Sequence, residues 1–271
     1  MAELHLSEEQ ITTFQRDGYL LIRSLFDTEE LELLSSILHS DRRMEGAHER
    51  PDSEGGVSRL RVMNELGDDL YSTIVRCRRT AATMTTLLGD EVYHWHHKVM
   101  LKEPRVGGAW EWHQDYGYWY RNNHCLFPDM GSCMIAVDRA IKENGCLQVI
   151  SGSHQCGRIE HGTTGGQVGA DLNRVEALLK CMPLVHCEMD PGDALFFHAN
   201  ILHRSDQNRS EHPRWSLICC YNTKHNDPFK QPSHHPAYAP MSICGDEEVK
   251  NVGQRQQTAT VNRWPASTEH P

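Results

Sequence analysis

Hydrophobic and polar positions divide the chain into two regimes. In the first, apolar residues recur at helical spacing. Ser7-Glu8-Glu9-Gln10 has capping-box form and predicts a short helix through about Arg16, ended by Asp17-Gly18. Tyr19-Leu20-Leu21-Ile22 reads as a strand. Asp27 and Glu30 repeat the box, and Leu31, Leu33, Leu34, Ile37 and Leu38 make the stripe of a second helix. From Ser40 to Val57 the chain is charged, with no hydrophobic period, which predicts a long surface loop and a candidate lid. Arg76 to Leu88 predicts a further helix stopped by Gly89.

Beyond Asp90 short apolar runs alternate with turn residues. They predict strands over Val92–Leu101, Ser132–Val137, Cys146–Val149, Leu184–Glu188, Ala194–Phe197 and Trp215–Tyr221. Gly162–Lys180 interrupts them with a helical stretch at Leu172–Leu179, and the polar tail after Asp246 predicts a surface loop. Many strands after a helical start predict a mainly β fold, a sandwich or jelly roll with helices packed on one outer face. The 271 residues suit one domain. Its expected parts are a helical support over about 5–89, a strand core over about 90–225 and a tail over 226–271. No internal repeat is present.

Charge and composition narrow the partners. A formal net charge of −10 opposes a phosphate backbone, so nucleic acid is not expected. No run approaches the roughly 20 apolar residues of a membrane span, and neither end carries a targeting signal, so a cytosolic location is the expectation. The ten cysteines include no C-x-x-C pair and read as free thiols, with Cys219 and Cys220 on opposite faces of a strand. Oligomeric state is not legible.

The chemistry gathers at Trp112-His113-Gln114-Asp115-Tyr116. On an extended segment residues two apart face the same side, so His113 and Asp115 can serve one metal ion. A third ligand must come from elsewhere, and His203 is the candidate. The turn Asp190-Pro191-Gly192-Asp193 feeds the run Ala194–Phe197, which delivers His198 and His203. His203 is favoured because Ser205 and Arg214 follow it. In a jelly roll the returning strand brings Arg214 near the metal, where a guanidinium grips a carboxylate. Two histidines and one carboxylate are the ligand set of non-haem iron(II) oxygenases. They also suit a zinc hydrolase, which leaves Arg214 and Ser205 without a role. A non-catalytic sensor of metal or ligand stays open.

Along His94–Lys102, alternation predicts Tyr93, Trp95, Val99 and Leu101 on one face and His96, Lys98 and Met100 toward the barrel. It also separates His97 from His94 and His96, against a metal site there. His154 reads as a turn brace, and His234 and His235 as surface. Trp110, Tyr116, Trp119 and Tyr120 around the ligand pair suggest a partly aromatic pocket, suited to a cationic or flat substrate.

Taken in order, His113-x-Asp115, His203-x-Ser205 and Arg214 resemble the phytanoyl-CoA dioxygenase family of iron(II)/2-oxoglutarate oxygenases. Phe14–Leu20, Glu143–Leu147, Ser151–His154 and Pro191–Leu195 support the likeness, which spans about residues 5 to 225. The run Trp110–Trp119 is similar to the ectoine hydroxylases of that family. The resemblance implies a double-stranded β-helix of the cupin-like type, with iron(II), 2-oxoglutarate and dioxygen as reaction partners and ascorbate as a reductant in vitro. It implies His113, Asp115 and His203 as metal ligands, Arg214 and Ser205 at the distal carboxylate of 2-oxoglutarate, and Trp119 beside substrate. His96 stands where ectoine hydroxylases have a glutamine near 2-oxoglutarate, and Lys98 where they have an arginine near substrate. These departures leave the ligand open. Tyr116, Trp119 and Lys98 are the expected substrate contacts. Related halogenases replace the carboxylate with a small residue, so Asp115 favours hydroxylation. The implied reaction hydroxylates an unactivated C–H bond of a small polar or zwitterionic metabolite, releasing succinate and carbon dioxide. An acyl-CoA substrate is the alternative within the family.

Overall fold

Ser7 and Asp27 open helices α1 (Glu8–Asp17) and α2 (Thr28–Ser40). Each accepts a bond from the backbone N–H three residues on, and Gln10 and Glu30 return it. Gly18, at φ 80°, ends α1, and the chain runs directly into strand β1 (Tyr19–Ile22). The structure is a computed structural model that describes residues 4–164, 167–230 and 237–263. His234 and His235 therefore lie outside the described residues.

Strands β2 (His48–Pro51) and β3 (Val57–Met63) form an antiparallel hairpin where a loop and candidate lid are expected over Ser40–Val57. Every residue of β2 is exposed, so no alternation marks it. Its turn is tied down by Asp52, which accepts from the backbone N–H groups of Glu54, Gly56 and Ala109 and from the Gln207 side chain. Helices α3 (Leu70–Arg76) and α4 (Arg78–Leu88) replace the single helix expected over Arg76–Leu88. Cys77 between them is extended, at φ −68° and ψ 153°.

The remaining strands are β4 (Val92–Lys102), β5 (Trp110–His113), β6 (Met130–Ala136), β7 (Leu147–Ile150), β8 (His161–Thr164), β9 (Gln167–Ala170), β10 (Leu184–Cys187), β11 (Ala194–His198), β12 (His203–Ser205) and β13 (Arg214–Thr223). Among them lie α5 (Asp115–Asn123) and α6 (Leu172–Leu179), and α7 (Glu248–Arg263) follows the last strand. The large sheet has the order β1-β11-β6-β13-β4-β3-β2, the small one β10-β7-β12-β5, and β8-β9 is a separate hairpin. All the pairings are antiparallel. The first 89 residues are thus more than a helical support, because they supply β1, β2 and β3 to the large sheet.

Two of the three hydrophobic clusters follow from this layering. Phe14, Leu34, Ile37, Ile74, Met84, Leu217 and Cys219 pack between the helices and the outer face of the large sheet. Tyr93, Trp95, Met134, Val149, Phe197, Ile218 and Cys220 pack between the sheets. Cys219 and Cys220 do point to opposite faces, and all ten cysteines are free thiols. The fold is the jelly-roll sandwich with helices on one outer face. No helix among the described residues is long and apolar enough to cross a membrane.

Two expectations need correction. The tail after Asp246 forms α7, which packs on α2 through Lys250 to Asp27 and Glu29, and Gln254 to Glu29. Its apolar stripe is little more than Val249 and Val252, too thin for periodicity to show. In β4 the ladder to β13 slips between Cys220 and Tyr221, leaving Trp95 as an extra residue, a β-bulge. Tyr93 and Trp95 therefore join the inner core with Met100, while Val99 and Leu101 face the helices. The bulge also brings together the two histidines that alternation separates, with His94 Nε2 3.0 Å from His97 Nδ1.

Two polar clamps secure the frame. Arg79 and Glu30, 3% and 1% exposed, form a bidentate pair, and Arg79 also donates to the Leu25 carbonyl. Removing Glu30 leaves the buried Arg79 with only the longer carboxylate contact, to Asp246, 3.7 Å from its Nε, so Glu30→Ala should lower unfolding free energy by about 3 kcal/mol in chemical denaturation. At the other end of the large sheet, His225 bridges Asp90 at 2.7 Å and Asp129 at 2.8 Å. The Asp90 bond, ahead of opposing burial and then the Asp129 bond, raises the His225 pKa. Its stabilisation is whole below the unfolded imidazole value of about 6.5 and is lost as pH rises through the higher folded value. The His225 bond in turn lowers the Asp90 pKa, so that contribution fades as pH falls through the lowered carboxylate value. His225→Ala should therefore reduce Tm at mildly acidic pH and leave it nearly unchanged well above the imidazole range.

Candidate metal centre

β5 and β12 pair so that His113 and His203 are direct cross-strand partners. Side chains so paired share a face of the sheet, and these two rings lie 4.1 Å apart, centroid to centroid. Asp115 does not continue the extended segment as expected. β5 stops at His113, and Asp115 is the first residue of α5. The turn still aims its carboxylate at the histidines: Asp115 Oδ1 is 3.7 Å from His113 Nε2 and 4.0 Å from His203 Nε2. Their donor atoms are close enough to share one ion, and the three are the one such group of His, Cys, Asp or Glu among the described residues.

The outer ring nitrogens fix which atoms face the centre. His113 Nδ1 lies 2.7 Å from the Glu111 carbonyl and His203 Nδ1 3.0 Å from that of Ile201. A carbonyl only accepts, so each Nδ1 carries a proton and each neutral ring turns an Nε2 lone pair inward. Burial keeps the rings neutral. It pushes the His113 pKa well below the usual range, with His203 adding to the effect and Asp115 opposing it. His203 is lowered for the same first reason. Burial pushes Asp115 upward, but the cations around it, Lys98 foremost, outweigh it and hold the group below its ordinary value, as a carboxylate. Two neutral imidazoles and one carboxylate, all buried, are a donor set that fits a divalent ion.

Gln114 locks the turn between His113 and Asp115. Its backbone N–H donates to His161 Nε2 at 3.0 Å, its side chain accepts from Ile159 N at 2.8 Å and it donates to the Asn200 carbonyl at 2.9 Å. Gly117 makes room for the His161 ring, because a Cβ there would lie 2.2 Å from Cε1. His198 points elsewhere, against Phe14 and His154, and its Nδ1 accepts from Asn200 N. His154 sits 3.0 Å from the Gln15 carbonyl, bracing the turn as expected.

The other expected residues divide. Arg214 opens β13 on its inner face, 2% exposed, with Nη1 donating to the Gly145 carbonyl. Ser205 follows His203 by two in β12 and is also buried. Lys98 lies on the inner face of β4, close enough for its charge to act on His113, Asp115 and His203. His96 and Trp119 meet edge to face at 5.9 Å, with Trp95 6.1 Å from Trp119. Tyr116 is turned away: its hydroxyl donates to the Leu126 carbonyl at 2.6 Å and its ring packs on Tyr120. Tyr118 reaches the charged groups instead. Half-buried, it feels Arg50, Asp115 and Lys98, though burial is what chiefly raises its pKa. The only sequence signal for Tyr118 is its place three residues after a ligand, on the first turns of a helix not legible as one.

The chain is 29% identical to L-proline trans-4-hydroxylase of Streptomyces griseoviridis over 253 residues, covering 86% of this chain and 91% of that one. It is 26% identical to ectoine dioxygenase of Stutzerimonas stutzeri, covering 93% and 88%. In fold it matches EctD from S. alaskensis, crystallised with 2-oxoglutarate and 5-hydroxyectoine, with a TM-score of 0.71, 22% identity and coverage of 89% and 88%. The profile of the phytanoyl-CoA dioxygenase (PhyH) family matches residues 14–216, and the chain belongs to that family.

Proposed function

We propose that this protein is an iron(II)- and 2-oxoglutarate-dependent dioxygenase that hydroxylates a C–H bond of a small polar or zwitterionic metabolite. The observation that carries the reading is the inward-facing donor set of His113, Asp115 and His203, with both Nδ1 atoms committed to backbone carbonyls. When bound there, iron(II) with 2-oxoglutarate and dioxygen supplies the oxidant that removes a hydrogen and returns a hydroxyl, with succinate and carbon dioxide released.

The chain's own residues position and shield that chemistry. His113 and His203 offer neutral nitrogens, and Asp115 offers the charge that favours a cation in a buried place. Arg214 takes the distal carboxylate of 2-oxoglutarate, with Ser205 beside it and His96 deeper on the same sheet. Lys98, Trp119 and Tyr118 face substrate: a cation for its carboxylate and aromatic faces for its apolar or cationic part. Trp110, 6.2 Å from His113, and Phe197, 5.1 Å from His203, limit water at the ligands. The named relatives are a hydroxylase of L-proline and a dioxygenase of ectoine, which supports a substrate of that size and polarity. Ten free thiols fit a reducing compartment, and a cytosolic location is part of the proposal.

The direct test supplies iron(II), ascorbate and 2-oxoglutarate with a panel of amino acids and small zwitterions and measures succinate. Substrate-stimulated release is expected. Release stimulated only by acyl-CoA thioesters would overturn the substrate class, and no turnover of any kind the reaction class. His203→Ala should abolish both anaerobic iron(II) binding and succinate release. Arg214→Ala should weaken 2-oxoglutarate binding by about 10- to 100-fold, the worth of a charge-assisted bond, with metal binding little changed. Equal loss of both would remove Arg214 from this role.

A further inference from the structure

Strand β6 sends Met130, Met134 and Ala136 into the core between the sheets, and Cys133 and Ile135 toward the helices. Alternation puts Ser132 in the inner row, 0% exposed, where every other side chain of the strand is apolar. A buried hydroxyl is costly unless it is hydrogen-bonded. That of Ser132 donates to Cys220 Sγ at 3.3 Å, directly across the β6–β13 ladder. Sulfur is a weak acceptor, so this contact alone does not account for a polar residue in such a row.

Ser132 stands against the metal centre. Its partner across the β6–β11 ladder is Phe197, whose ring lies 5.1 Å from that of His203. Two residues earlier, the Met130 carbonyl accepts from Ala199 N–H at 2.9 Å, and the Ala199 carbonyl accepts from Tyr116 N–H at 3.0 Å. These bonds dock the first turn of α5, and Asp115 with it, onto the start of β6. Asp115 turns Oδ1 to both histidines, which leaves Oδ2 to be held by a group other than the ion. Burial raises the Asp115 pKa, and the Ser132 hydroxyl is one of the groups that lower it, with Lys98 foremost. The hydroxyl is therefore within hydrogen-bond reach of the carboxylate. A hydroxyl proton rotates between acceptors, and a carboxylate is a far stronger one than a thiol.

We propose that Ser132 is a positioning residue for Asp115: its hydroxyl donates to Oδ2 of the carboxylate, and the Cys220 thiol donates in turn to Ser132 Oγ. The proposal rests on the metal-centre reading above. Held from behind, Asp115 offers the ion one oxygen in a fixed orientation. Released, it is free to turn and offer both, closing a position that the co-reactants need. Groups that brace a ligand in this way are worth about 10- to 100-fold in metal affinity.

The test needs no turnover. Manganese(II) binding is followed by its electron paramagnetic resonance signal, and the visible spectrum of the cobalt(II)-loaded protein reports how the ion is coordinated. Ser132→Ala should weaken manganese(II) binding about 10- to 100-fold and shift the cobalt(II) bands. Ser132→Thr keeps the hydroxyl and should restore both. Ser132→Cys, close in shape with a weaker donor, should fall between them and serves as the readout if the alanine variant fails to fold. Cys220→Ala leaves the bond to Asp115 in place and should change manganese(II) affinity little. Unchanged metal affinity and spectrum in Ser132→Ala would make the residue a packing element and overturn the proposal. So would a folded threonine variant that binds as weakly as the alanine one, or a loss in Cys220→Ala as large as in Ser132→Ala. His203→Ala is measured in parallel. If it binds manganese(II) as tightly as the parent, or the parent binds none, the metal-centre reading itself falls.

Discussion

Two imidazole rings 4.1 Å apart, both buried, must each leave a lone pair toward the same point. Were either protonated on that side, it would repel the other ring and any cation between them. The protein meets this constraint with backbone alone. The carbonyls of Glu111 and Ile201 hold the protons on the far nitrogens, and burial makes a second proton unfavourable. The cross-strand pairing of His113 with His203 is what puts both rings in this position. Because β12 lies between β7 and β5, the pairing is held from both sides. The small sheet is therefore as much a part of the candidate centre as the two imidazoles it carries.

The inner face of the large sheet complements that arrangement. Along β4 the inward residues run from His96 through Lys98 and Met100 to Lys102, and the opposing residues of β13 run from Cys220 to Arg214. Aromatic and weakly polar groups gather at one end and cations at the other. On the reading proposed above, such a gradient orients an elongated anion without a mobile element. The β2–β3 hairpin fits that picture, since Asp52 and Gln167 fasten it to the backbone at Ala109. A rigid rim costs less conformational entropy on binding than one that must be ordered each time.

How far the sequence carries differs by residue. His113, Asp115, His203 and Arg214 are legible because the chemistry dictates residue types and the spacing survives any local geometry. The local geometry is another matter. Asp115 lies in a helix whose first turn is aromatic and glycine-containing, so no stripe marks it. Tyr116 and Tyr118 are indistinguishable along the chain, yet one hydroxyl is bound to Leu126 while the other ring reaches the charged centre. α7 is held mainly by polar contacts to α2, which leave little trace in hydrophobic periodicity. The main strands of the core, by contrast, announce themselves as apolar runs, within a residue or two of their observed limits.

The bulge at Trp95 has a mechanical consequence. By inserting one residue it changes the phase of β4, so Tyr93 and Trp95 share a side with Met100 rather than with Val99. Residues on either side of this phase break no longer obey a single alternation. Mutations upstream of it can recontour the aromatic end while the alignment of Lys98 and Lys102 with β13 stays put. One strand is thereby split into two separately tunable segments, an aromatic one before the bulge and one after it whose lysines stay in register with β13.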